Sequence, residues 1–131
     1  MDITKLDTVS EDEGVVVHLK DVRGTPLMDG TTPVTARVAG TYSARYRAAQ
    51  KALRQNQTKL LRRGQQPDED FLDDAQFALE AACIVEWTLT SGNFPFPVTT
   101  ENWRAVAEKQ PQWREQVQHA MTDHERFFVT S

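Results

Sequence analysis

The chain has 131 residues, 39% of them apolar and 26% charged, a balance that supports one folded domain with its own core and excludes a wholly disordered chain. Its lone cysteine, Cys83, excludes an internal disulfide, and the net charge of −4 argues against a generally basic nucleic-acid binder. No basic-then-apolar leader opens the chain and no segment nears the roughly 18 consecutive apolar residues of a membrane span, so a reducing cytoplasm is the expected setting.

Residues 1–13 are polar and end in Glu11-Asp12-Glu13, which predicts a solvated lead-in. Residues 14–40 read as a β hairpin or small meander. Gly14 to Asp21 is rich in β-branched residues, Arg23-Gly24-Thr25-Pro26 and Met28-Asp29-Gly30-Thr31 are turn-prone, and Val34, Ala36 and Val38 alternate with Thr35 and Arg37. Residues 41–131 read as a helical region. Ser43 is placed to cap a helix over about Ala44 to Arg63, with Tyr46, Ala49, Leu53 and Leu60 on one face and Gly64 as the stop.

Pro67-Asp68-Glu69-Asp70 suits a second helix start, which the stripe Phe71, Ala75, Ala78, Ala82, Val85 and Leu89 extends to about Leu89. This is expected to be the most buried helix. Pro95 and Pro97 force the phenylalanines before them into extended conformations, predicting a stiff aromatic loop over residues 91–97. Thr99 or Thr100 then caps a short helix to Lys109, and Pro111 opens a last one carrying Trp113, Val117, Ala120, Met121 and Phe128. The fold class is therefore α+β, mostly α: an amino-terminal antiparallel hairpin or meander followed by a three- to four-helix bundle.

Charge is segregated along the chain. Gly40 to Gln66 holds seven bases (Arg45, Arg47, Lys51, Arg54, Lys59, Arg62, Arg63) and no acid, whereas Pro67 to Glu80 holds six acids and no base. If the first two helices are antiparallel neighbours, the basic end of one lies near the acidic start of the other. That arrangement makes nucleic acid a disfavoured partner.

Reactive constellations are missing from the pattern. His119 and His124 are five apart, roughly 500° around a helix, so a shared metal is not expected, and no cofactor motif or glycine-rich phosphate cradle occurs. Cys83 lies among Ala81, Ala82, Ile84 and Val85, where a neutral thiol is the default. An enzyme is not expected. Seven of the eleven aromatics fall in the last 45 residues, and Trp87, Phe94, Phe96, Trp103 and Trp113 are the candidate protein-binding anchors.

Three segments in order carry a resemblance to a known family. They are Val-Ala-Gly-Thr-Tyr-Ser-Ala-Arg-Tyr-Arg (38–47), then Val85-Glu86-Trp87-Thr88-Leu89 with Pro95-Phe96-Pro97 and Thr100-Glu101-Asn102, and finally Gln110-Pro111-Gln112-Trp113 with Gln116-Val117 and Phe127-Phe128. Together they resemble the tail assembly chaperones of long-tailed bacteriophages and prophages, from which the chain departs in carrying Tyr42 where an acid is more common. The resemblance implies a helper outside the virion, in the host cytoplasm, that coats the tape-measure protein and recruits tail-tube protein. A homo-oligomer is a further expectation, since a hairpin edge invites pairing. Rival expectations are a tail-completion or head-tail connector component of the particle, and a small inhibitor of a host enzyme or defence complex.

Overall fold

The computed structural model describes residues 9–124 and Phe127; the first eight residues of the expected lead-in and Phe128 lie outside the described residues. In chain order the elements are α1 (Val9–Glu13), β1 (Val15–His18), β2 (Met28–Asp29), β3 (Thr32–Pro33), β4 (Thr35–Val38), α2 (Ala44–Arg62), α3 (Glu69–Cys83), β5 (Ile84–Trp87), β6 (Thr90–Ser91), β7 (Phe94–Pro95), α4 (Thr100–Lys109) and α5 (Pro111–Thr122). Helix makes up 53% and strand 19%, the strands forming small antiparallel sheets, so the chain mixes the two classes.

The β-branched run of β1 pairs with β4 as expected, Val15 opposite Val38 and Val17 opposite Ala36. Between them the chain folds out into a finger, where β2 and β3 pair across Gly30, whose φ of 63° suits a residue without Cβ. The division into a hairpin followed only by helices is corrected by β5. It pairs with the other edge of β4, giving a three-stranded sheet ordered β1-β4-β5, with a bulge between Arg37 and Val38.

The second long helix was expected to reach Leu89 but ends at Cys83. Ile84-Val85-Glu86-Trp87 is β-branched and aromatic, and β4 offers it a hydrogen-bonding edge, so sheet pairing overrides continued helix. The expected stripe shifts with it. Phe77, Leu79, Glu80, Ala81 and Cys83 are the buried residues of α3, while Ala78 is exposed. Residues 90–95 form a two-residue ladder around Gly92, in the extended conformation that the prolines dictate.

Helices α3, α4 and α5 cover the sheet, with α5 against β1 and β4. The core gathers Val17, Ala36, Val38, Phe77, Cys83, Ile84, Trp103, Val117 and Met121 from all of these elements. At its rim sits a fully buried carboxylate. Glu80 Oε1 accepts from Trp103 Nε1 of α4 at 3.0 Å and from Arg114 Nε of α5 at 2.9 Å; Oε2 accepts from Gln76 at 3.0 Å, Gln118 at 2.9 Å and Arg114 Nη2 at 3.1 Å. The Arg114 guanidinium also lies 3.8 Å from the Phe77 ring centroid. Burial alone would push the Glu80 carboxyl up, but the hydrogen bonds from Arg114, Gln118, Trp103 and Gln76 together hold it below its ordinary value of 4.5.

The second buried carboxylate corrects the view of a solvated lead-in. Glu11, on α1, is 1% exposed; its Oε1 accepts from the Tyr42 N–H at 3.1 Å and faces His124 Nδ1 at 3.1 Å, while Oε2 has no partner among the described residues. Gly40 makes room for it, since a Cβ there would stand 1.9 Å from Glu11 Oε1. Around Gly40 the backbone N–H groups reach three different elements, α3, α1 and α5. Ala39 donates to Cys83 O, Gly40 to Glu11 O, Thr41 to Met121 O, Tyr42 to the Glu11 carboxylate and Ala44 to Asp12 Oδ1.

Because folding lowers the Glu80 pKa, its contribution to stability is present above the unfolded value near 4.5 and disappears as pH falls through the lower folded value. Glu80→Gln should cost about 3 kcal/mol at neutral pH, by leaving Arg114 without its counter-charge, and urea titrations should show a flatter acid limb than wild type. Gly40→Ala should destabilise by about 1–3 kcal/mol through displacement of the Glu11 side chain. In a double-mutant cycle with Glu11→Ala most of that penalty should vanish.

Candidate functional site

The feature with fewest ties to the body is α2, a helical arm that packs along the outer side of α3. Ser43 Oγ caps α2 by accepting from the Tyr46 N–H at 3.2 Å. At its end the Gln65 N–H reaches Leu60 O and the Gly64 N–H reaches Leu61 O, with Gly64 at φ 72°, the paired bonds of a glycine-terminated helix. Asp68 Oδ1 then caps α3 through the Phe71 N–H at 2.8 Å, so the return turn is short and the two helices pack side by side.

Despite its 19 residues, α2 buries none of them. Its apolar side, Tyr46, Ala49, Leu53 and Leu60, is only half-buried against α3, and Leu61 and Leu72 stand more than half exposed. Between the helices runs a groove of about 350 Å³. Ala49, Ala52 and Leu53 form one wall and Phe71, Ala75 and Ala78 the other, with Asn56 and Asp74 as its polar members. The small side chains keep the helices from filling the space between them.

Electrostatics on the arm differ from the expected pairing of its two helices. Among the described residues no ion pair joins α2 to α3; Asp73 and Asp74 instead bind Arg104 of α4, Asp73 at 3.3 Å. The seven bases of residues 45–63 are all exposed.

The five aromatic candidates divide. Trp87, Phe96 and Trp103 come together: the Trp87 ring stacks on Phe96 at 6.0 Å and lies 6.3 Å from Trp103, and its Nε1 donates to Phe96 O. Trp103 is 2% exposed, so it is sealed in the core instead of presented at the surface. Trp113 is half-buried, its Nε1 donating to Lys20 O at 3.0 Å, and with Phe96, Leu89 and Val106 it lines a smaller cleft of about 270 Å³. Phe94 is 76% exposed and separate from the stack. Sequence reasoning missed the α2–α3 groove, although Ala49, Ala52, Ala75 and Ala78 at helical spacing on facing helices were the available signal.

Among the described residues the histidines and the cysteine stand apart from one another. Cys83 is fully buried, and desolvation pushes its thiol up to about 12 against the smaller opposing effects of Ser43 and Arg45, leaving it protonated at neutral pH. His119 is exposed beside Asp123, whereas His124 stacks on Tyr42 at 3.8 Å and faces Glu11. Among the described residues no three His, Cys, Asp or Glu side chains gather as a metal set. No helix among them is long and apolar enough to cross a membrane.

Compared with protein-family models, curated proteins and solved structures, the chain finds no match. The geometry of the arm and the motif resemblance therefore carry the functional argument together.

Trp103→Ala should cost about 3–5 kcal/mol, the usual range for emptying a buried aromatic site. Phe94→Ser, at an exposed position, should stay within about 0.5 kcal/mol. Chemical denaturation of the two variants checks the division between core and surface rings.

Proposed function

We propose that this chain is a non-enzymatic binding protein that holds a helical segment of a client along the α2–α3 arm. The observation that carries the reading is a long amphipathic helix with no buried residue, bordering an apolar groove that its own chain leaves unfilled. A client helix lays side chains at i, i+3, i+4 and i+7 into such a groove and is thereby kept from aggregating. The half-buried Leu60 and Phe71 carry apolar surface on toward the turn between the two helices.

The resemblance to tail assembly chaperones names the client class. Tape-measure proteins carry long apolar helices that need cover until the tail tube surrounds them, and tail-tube protein is the second partner. The resembling segment 38–47 coincides with the junction from which α2 departs, so the motif falls where the arm is anchored to the body. In this role the protein acts in the cytoplasm of the bacterial host and leaves before the virion is complete.

Co-expression with a tape-measure fragment tests the proposal. The soluble fraction of the fragment should rise several-fold, and Ala52→Glu combined with Ala78→Glu should abolish the gain while leaving the thermal midpoint within a few degrees, both positions being exposed. An unchanged soluble fraction with wild-type protein would sink the reading. A stoichiometric band in purified virions would place the chain in the particle instead.

A further inference from the structure

The side of α2 turned away from α3 carries a second surface. On a helix of about 3.6 residues per turn, Arg47, Lys51, Arg54, Lys59 and Arg62 fall within roughly 140° of arc. That arc is centred opposite Tyr46, Ala49, Leu53 and Leu60, the half-buried side that packs on α3. Gln55, Thr58, Ala44 and Ala48 complete it, and every residue in it is exposed. The face therefore holds neither an acid nor a large apolar side chain, and its cations form a row about 22 Å long. Like charges three and four residues apart repel, so the row works against the helix that bears it. Among the described residues no ion pair offsets that cost: Asp73 and Asp74 of α3 bind Arg104 of α4, and the shielding that would disfavour nucleic acid is not formed.

We propose that the outer face of α2 is a docking surface for double-stranded DNA, held chiefly by its phosphates. Three of the five cations are arginines, whose planar fork matches a phosphate with two N–H groups at once. Gln55 and Thr58 stand among them, and amide and hydroxyl side chains bond to phosphate oxygens and to base edges alike. A helix with its side chains is about 10–12 Å across and the major groove of B-form DNA about 12 Å wide, so the outer half of α2 fits the groove while α3 backs it. The surface shares no lining residue with the client groove, so it stands or falls apart from the chaperone reading.

Other anionic partners use less of what the face offers. A protein surface or a bilayer takes affinity from an aromatic or aliphatic anchor, and the arc carries no apolar side chain larger than alanine. Single strands are gripped by stacking on aromatic rings, which the arc lacks as well. A duplex needs charge alone, because each neutralised phosphate releases condensed counterions. The chain concentrates that charge here: Gly40 to Gln66 holds seven of its fifteen bases and none of its nineteen acids. At physiological salt, screening sets in beyond about 8 Å, so acids farther off weigh little against phosphates that touch α2.

Fluorescence anisotropy tests the assignment, with the full chain titrated into a labelled DNA duplex of mixed sequence and about 20 base pairs, roughly two helical turns. Affinity should fall about 500-fold between about 50 and about 200 mM salt, the steepness expected of five neutralised phosphates. R47Q/K51Q/R54Q leaves two of the five cations; it should lower the slope of log affinity against log salt by about three and bind at least about tenfold more weakly at the lower salt. R47K/R54K/R62K keeps every charge and should retain the wild-type slope. Circular dichroism confirms the helix in each variant.

No binding at the lower salt, a slope unchanged by R47Q/K51Q/R54Q, or a slope lost in R47K/R54K/R62K would overturn the assignment. So would tighter binding of the matching single strand, of a polyglutamate peptide, or of vesicles made of equal parts phosphatidylglycerol and phosphatidylcholine, each of which gives the row to a different partner.

Discussion

The buried Glu80 carboxylate is the constraint on which the rest of the packing depends. A charge in that position is tolerable only if nearly every lone pair is occupied, and Gln76, Trp103, Arg114 and Gln118 occupy them from α3, α4 and α5. Those bonds set how far α4 and α5 sit along α3. They also bring the Trp103 ring into the core and hold Arg114 across Phe77. The body is complete on these terms. Since α2 takes no part in the network, it remains in contact chiefly with α3, as an arm and not a core helix.

A second constraint operates where the arm leaves the body. Residues 39–42 and 44 donate to Cys83, Glu11, Met121 and Asp12, so a short stretch ties α1, α3 and α5 together just before α2 begins. Close approach is the physical requirement. At Gly40 the Glu11 carboxylate occupies the volume that any larger residue would need, and Ser43 is fully buried while its hydroxyl caps the helix. The arm is rooted rigidly even though its length is exposed. Rigidity at the root matters for a binding helix, because a surface held in place loses less entropy when a client docks.

Arm and body also divide the chemistry. Cys83, Glu80 and Glu11 are spent on burial and on hydrogen bonds that hold the fold, while the groove and the basic face of α2 remain free of internal partners among the described residues. The proposed role follows from that division. Apolar contact in the groove would supply affinity for a client helix.

Local chemistry was enough to find the helix starts at Ser43, Asp68 and Pro111, to narrow another to Thr99 or Thr100, and to find the stop at Gly64, the β1–β4 pairing and the buried Cys83, because caps, prolines and alternation act within a few residues. Four features depended on distant partners. Ile84–Trp87 became strand because β4 had an open edge, and Glu80 and Glu11 became buried because, Gln76 apart, their partners arrived from 23 to 113 residues away. Trp103 was drawn inward by Glu80, while the alanines of α2 and α3 became a groove only when two helices faced each other. A residue's own type determines what it can cap, break or repel. Whether its polar atoms find partners, and which face it then turns to solvent, is decided by the groups that folding brings beside it.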